Sequence, residues 1–202
     1  MHNYIYGAGG HGKVILDAMQ AANTSCNGFV DDIDAASFMG LNVCKLSALS
    51  LEPETYLHLA IGNCKTREII VANLHNANFF SVTHPAAVIA KTAKIGTGTF
   101  LAAHSIVAPD SQIGNHCIIN HGAIVDHDCL VGDYCHIAPK VSLGGMVRIG
   151  KGVLVGAGAI VLPGIVINDY AVIGAGAVVT KDVAAGITVI GNPANPMKQS
   201  IS

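Results

Sequence analysis

Charge is scarce in this chain: Lys and Arg number 11 and Asp and Glu 13 among 202 residues, with no basic cluster. A net charge of -2 offers a polyanion no binding surface, so nucleic acid is not an expected partner. Any run of about eighteen apolar residues is also lacking, which excludes a membrane-spanning helix. The opening Met1-His2-Asn3-Tyr4-Ile5-Tyr6 has neither the basic start nor the apolar length of a signal peptide, and a cytoplasmic location is expected. Six cysteines occur, at 26, 44, 64, 117, 129 and 135, yet none makes a C-x-x-C pair. Free thiols in a reducing compartment are the expectation.

What the chain has in abundance is glycine, with 23 residues, and a strict period of six. Stepping by six from Ile89 meets Ile95, Leu101, Val107 and so on to Val179, sixteen positions that are all Ile, Leu or Val. Two residues earlier, from Ala93 to Ala177, the side chain is small at every step but Ile165. Residues two apart in a strand share a face, so each hexad sends one aliphatic and one small side chain inward. Cys117, Cys129 and Cys135 fall on the small position and read as packing residues. Gly, Asn and Asp cluster between the pairs, where the chain turns corners. Three hexads close one triangular coil of eighteen residues. The block from 89 to 180 then makes about five coils and a prism about 25 Å tall. The period leaves the hand open; parallel crossovers are ordinarily right-handed.

The N-terminal part reads differently. Residues 3–6 suggest a strand, and Gly7-Ala8-Gly9-Gly10-His11-Gly12 fits G-x-G-x-x-G before helical spacing from Lys13 to Ala22. Such a loop lets backbone N–H groups approach phosphates at a helix N-terminus. Gly28-Phe29-Val30-Asp31-Asp32 reads as a second strand ending in carboxylates, placed to reach a sugar or base. Tyr56 to Ile61 is a third strand, followed by Gly62-Asn63 and a helix carrying Arg67. Phe79 to Val82 is a fourth, before His84-Pro85 opens the prism. The loop also fits G-x-x-x-x-G-K, but Val14 stands where a P-loop needs Ser or Thr. About eighty residues are too few for a full dinucleotide fold. The expected domains are 1–83, a half-size α/β unit for a nucleoside diphosphate, and 84–202, the β-helix.

Ten histidines raise a metal reading. His116, His121 and His127 are spaced five and six apart, the first two near one expected corner. A zinc-dependent, carbonic-anhydrase-like enzyme would need them to converge, and would leave the nucleotide unit without a purpose. His2, His58 and His75 are expected in solvent, and His84 in a linker. His127 follows the inward Val125 by two residues and should point out of the prism at a corner, beside Asp128.

Several segments carry a resemblance beyond the period. They are Tyr4 to Gly12, Asp31-Asp32, Ile61-Gly62-Asn63, Val125-Asp126-His127-Asp128-Cys129 and Gly191-Asn192-Pro193-Ala194. Together the two halves resemble bacterial hexapeptide-repeat nucleotide-sugar acetyltransferases, of the kind that acetylate UDP-4-amino sugars in bacillosamine synthesis. Perosamine N-acetyltransferases and sialic acid O-acetyltransferases look similar. The resemblance implies a Rossmann-like α/β half-domain followed by a left-handed parallel β-helix, and a homotrimer holding acetyl-CoA between neighbouring prisms. It implies His127 and Asp128 as the catalytic pair, where the bacillosamine enzymes usually carry Glu in the second place. It puts nucleotide contacts on Gly9, Gly10, His11, Asp31, Asp32 and Gly62, and acetyl-CoA contacts on His136, Ala157 and Ala175.

The implied reaction moves an acetyl group from a thioester to a sugar amine, with no metal. A neutral imidazole suits the general base, with Asp128 holding its tautomer. Adding eighteen to His127 gives Gly145, whose N–H would lie near a thioester oxygen as it gains charge; the glycine would also suit a tight corner. Sugar O-acetylation and a non-catalytic nucleotide-sugar scaffold are the alternatives.

Overall fold

The computed structural model describes residues 1–33 and 35–197, which form two packed modules. In the first, strand β1 (His2–Tyr6) leads through the glycine loop into helix α1 (Gly10–Ala21) and on to β2 (Gly28–Val30). A hairpin, β3 (Ser37–Phe38) and β4 (Leu41–Cys44), precedes β5 (Thr55–Leu59), α2 (Cys64–Asn73) and β6 (Asn78–Phe79). The strand order is β3-β4-β2-β1-β5-β6, parallel except within the hairpin. The hairpin escaped the sequence reading because Met39 and Gly40 make its turn, at φ of 50° and 78°, and a methionine in that region gives no turn signal.

In the second module each hexad forms a two-residue strand. Strands stack in parallel with residue n beside n+18: Ile106 on Ile124, Val125 on Leu143, Leu130 on Arg148. The inward side chains fill one core from Leu101 to Val189, in which Val125, Leu143 and Ile167 are wholly buried. Cys117, Cys129 and Cys135 are free thiols within it. The parallel β-helix starts earlier than expected. Val82–Thr83 pairs with Phe100–Leu101 as its first rung, and Thr83 at an inward position hides that rung from a count of aliphatics. The expected strand from Phe79 to Val82 is thus two pieces, one in each module. Thr188–Ile190 adds a rung at the far end, giving one face seven parallel strands and a height of about 29 Å. Residues 198–202, assigned above to the second domain, lie outside the described residues.

The residue before each inward aliphatic points outward, so these positions, read in steps of eighteen, give each face its character. On the docked face Phe100 and Ile118 are buried against Ile5, Ile15, Met19 and Phe29 of the first module. The open apolar face carries Val88, Ile106, Ile124, Ser142, Ile160 and Val178, with Val88 60%, Ile124 38% and Ile160 44% exposed. The mixed face carries Lys94, Gln112, Leu130, Arg148 and Val166.

His58, expected in solvent, is buried where the modules meet, with Nδ1 2.9 Å from Phe80 O and its ring edge-on to Phe100. The strand alternation that turns Leu57 and Leu59 into the first module turns His58 toward the prism. Helix α2 adds Arg67, which bonds carbonyls of both modules, and Glu68, which pairs with Lys151 at 2.5 Å. No described helix is long and apolar enough to cross a membrane. Because the core is continuous across the junction, Phe100→Ala should cost about 3–5 kcal/mol in urea unfolding and leave a single transition. Two separate transitions in the wild-type chain would contradict a shared core.

Candidate active site

His127 stands at the corner between the open apolar face and the mixed face. The chain turns there with Asp128 at φ 59°, a left-handed conformation that aspartate tolerates. The turn brings the carboxylate back to the ring, and His127 Nδ1 lies 2.8 Å from Asp128 Oδ2. The short acid therefore reaches. An ionised carboxylate only accepts, so Nδ1 carries the proton and Nε2 is the basic atom. Asp126 Oδ1 accepts the His127 backbone N–H at 2.8 Å, which puts a second acid beside the ring. The hydrogen bond to Asp128, and then the Asp126 charge, hold the imidazole pKa above its ordinary 6.5. About half of each side chain is open to solvent, so the chain by itself does not enclose this pair.

Gly145 lies one coil above, where the neighbouring Met146 N–H donates to His127 O at 2.9 Å. A Cβ on Gly145 would stand 2.5 Å from His127 Nε2, so the imidazole covers this glycine. The left-handed residue of the corner is Met146, at φ 62°. The close approach of the ring, and not the turn, is what requires glycine at 145. Among the described residues no protein acceptor takes the Gly145 N–H.

A second cluster forms at the carboxyl ends of β1, β2 and β5. Around Gly9, Gly10 and Gly62 a Cβ would meet nothing within 4 Å. Helix α1 begins there without a side-chain cap, leaving its first amides for an anion. Gly7 and Gly12 are structural: Gly7 takes φ 115°, and a Cβ on Gly12 would collide with Gly7 O. Asp31 Oδ2 accepts the Ala8 N–H at 2.7 Å and Oδ1 the Ile33 N–H at 3.1 Å, so this acid shapes the loop, while Asp32 stands exposed.

His11 is wedged between the modules, edge-on to Phe100 and stacked on His136 with ring centroids 6.5 Å apart. Its Nε2 is buried without a partner, and burial, helped by His58, His136 and Arg67, lowers its pKa to about 3. His136 lies against the same loop, with Nδ1 3.2 Å from Gly62 O and Nε2 3.1 Å from Asn120 Nδ2. Ala157 and Ala175 are exposed and stacked at the corner between the docked and open apolar faces, where Gly176 N–H donates to Ala157 O at 2.8 Å.

The zinc reading loses its ligand set. His116 and His121 do not share a corner, because the strand Ile118–Ile119 runs between them, and His127 lies one face further on at the third corner. Among the described residues no group of three or more His, Cys, Asp or Glu is placed to hold a metal.

Comparisons with known proteins fit this division. Residues 4–74 match the PglD N-terminal domain family, and residues 110–145 and 146–181 match the bacterial transferase hexapeptide (six repeats). The acetyltransferase domain of PglB from Neisseria gonorrhoeae FA1090 is 34% identical at a TM-score of 0.92, over 97% of this chain and 99% of that one. The chain belongs to the PglD-type hexapeptide acetyltransferases. PerB from Caulobacter crescentus, solved with CoA and GDP-perosamine, is 33% identical at a TM-score of 0.92, over 98% of both chains. WeeI from Acinetobacter baumannii AYE is 27% identical at a TM-score of 0.77, over 98% of this chain and all of that one. The chain spans about a quarter of the curated relative it matches, uncharacterized protein L142 of Acanthamoeba polyphaga mimivirus, with 32% identity over 121 residues, 59% of this chain.

For a member of this family, the sequence reading named the residues at both clusters but missed what supports them. Asn120, Arg67 and His58 act through contacts that no local spacing reveals, although Asn120 lies sixteen residues, nearly one coil, before His136. The His127 corner is testable by titration. A raised pKa places the His127 midpoint above 6.5, with the neutral base present above that midpoint and lost below it. Asp128→Asn removes the first cause of the shift, so the NMR midpoint of His127 should move to lower pH. An unmoved midpoint would show that Asp128 does not hold the ring.

Proposed function

We propose that this protein transfers an acetyl group from acetyl-CoA to the amino group of a nucleotide-linked sugar, the first candidate being a UDP-4-amino sugar. The observation that carries the reading is the His127–Asp128 pair at 2.8 Å on an exposed corner, with the bare Nε2 over Gly145. Support comes from relatives whose structures hold CoA with GDP-perosamine, among them variants in which one histidine is replaced.

Acetyl-CoA supplies an activated acetyl thioester. His127 Nε2 takes the proton that the amine must lose as its nitrogen bonds to the acetyl carbon, and returns a proton to the departing sulfur. Asp128 keeps Nδ1 protonated and faces the imidazolium while it lasts. Gly145 N–H is the donor for the carbonyl oxygen. Gly9, Gly10 and Gly62 receive the diphosphate, with the buried Nε2 of His11 beside them. Asp31 holds the loop, and Asp32 reads the nucleotide. The small side chains of Ala157 and Ala175 leave room for the pantetheine arm, with His136 below them. All of these residues serve the transfer without a metal.

One chain does not bring these parts together. His127 and Ala157 sit at opposite ends of the open apolar face, separated by about 20 Å if its six residues are extended. That face exposes Val88, Ile124 and Ile160, a contiguous apolar surface of the kind that marks an interface. Three prisms packed through it would place the base corner of one chain near the alanine corner and nucleotide module of the next. We therefore assign a homotrimer with three sites between chains.

Thiol release from acetyl-CoA, measured against UDP-, GDP- and dTDP-linked 4-amino sugars, tests the reading. Turnover should depend on a nucleotide amino sugar, and His127→Ala should lower kcat by about 10²–10⁴ without loss of fold. Turnover with a hydroxyl sugar alone would support O-acetylation, and binding of the panel without thiol release would mean a scaffold.

A further inference from the structure

Arg67 is the largest fully buried side chain, and among the described residues its charge has no carboxylate partner. A buried charge needs its hydrogen bonds satisfied, and here backbone carbonyls satisfy them. Nε donates to His116 O at 2.7 Å. One terminal nitrogen donates to Ile61 O at 2.6 Å and Gly62 O at 3.3 Å, the other to Tyr134 O at 2.6 Å and Cys135 O at 3.2 Å. Two of these carbonyls belong to the loop after β5 and three to the prism. Gly62 and Cys135 are the residues through which the loop and the prism meet at His136.

The protonation of His136 follows from geometry. Asn120 Oδ1 accepts the His121 N–H at 2.8 Å, so Asn120 presents Nδ2, a donor, to His136 Nε2. Gly62 O can only accept, so His136 Nδ1 bears the proton. The tautomer is set from both sides, and one of those sides is a carbonyl that Arg67 itself holds.

We propose that Arg67 is a positioning residue: its guanidinium fork fixes the Ile61–Gly62 loop to the Tyr134–Cys135 end of the prism strand, and so holds His136 in one tautomer at one distance from the nucleotide loop. Lysine could not substitute, because a single ammonium does not present a rigid fork to carbonyls on two modules. Its charge has a second effect. Around His136 stand His11 from α1, Cys64 and Arg67 from α2, and Asn120, His121 and Cys135 from the prism; none is a carboxylate. His58 and His116 lie behind, the latter facing Asp133. Burial first, and the Arg67 charge after it, lower the pKa of His136, and Arg67 also lowers those of His11, His58 and His116. The histidines on both sides of the junction thus stay uncharged near neutral pH.

The acetyl-CoA contact given to His136 rests on the acetyltransferase reading; its tautomer does not. In the wild-type protein, nitrogen NMR of His136 at pH 8 should show protonated Nδ1 and bare Nε2. An Nε2–H tautomer would overturn the proposal even if every Arg67 variant failed to fold. Arg67→Lys and Arg67→Met should each lose about tenfold or more in kcat, with a smaller loss of nucleoside diphosphate affinity, because the Gly62 loop and His136 lose their spacing while Gly9 and Gly10 stay in place. His136 should titrate at higher pH in Arg67→Met, and Arg67→Lys should restore that midpoint without restoring kcat. An unchanged kcat in Arg67→Lys would overturn the positioning role. A wild-type protein that never releases thiol would sink the acetyltransferase reading, while the NMR result would still decide on Arg67.

Discussion

Because three hexads close one coil, every side chain of the prism is assigned to a face or a corner by its number alone. Closure at eighteen residues puts Gly145 over His127, Ala175 over Ala157, and Phe100 beside Ile118 where the first module docks. A single residue deleted between His127 and Leu143 would set Met146 in place of Gly145 above His127 and bring a side chain onto its ring. The register is robust because each inward aliphatic fits only the core, and a slip of one residue would turn the row outward.

Docking the first module on one face divides the chemistry in two. Helix α1 and the strand residues Ile5 and Phe29 cover Phe100 and Ile118, and the loops at Gly9, Gly10 and Gly62 reach the edge of that face beside His136. His127, the proposed base, stands a full face away. The intervening surface, with Val88, Ile124 and Ile160 open, has the composition of a buried one. The proposed assembly through that surface would join the two halves of the site, which makes oligomerisation a condition of the proposed chemistry.

The hexads were legible because each inward residue answers a local demand that recurs every six positions. The glycine loop and the His127–Asp128 pair were legible because short motifs carry them. Other features depend on contacts that a linear reading does not place. His58 looked like a surface residue and is buried against Phe80 and Phe100. His116 and His121, close in sequence, are separated by a strand. Arg67 meets His116 and Tyr134 across 49 and 67 residues. The faces were available in principle: Val88, Ile106, Ile124, Ile160 and Val178 already form an apolar outward row when read by eighteen, but a search for inward residues passes over it.

Subunit mixing tests the central claim, that each site is built from two chains, most directly. His127→Ala removes the proposed base, and Gly10→Leu fills the open space at the start of α1, where a Cβ meets nothing within 4 Å. Each homogeneous variant should be nearly inactive. Refolded together in equal amounts, random trimers should recover about a quarter of wild-type turnover, the share of sites pairing an intact base with an intact neighbouring loop. Mixtures no more active than the separate variants would contradict the account, because they would place the base and the nucleotide loop of each site in the same chain.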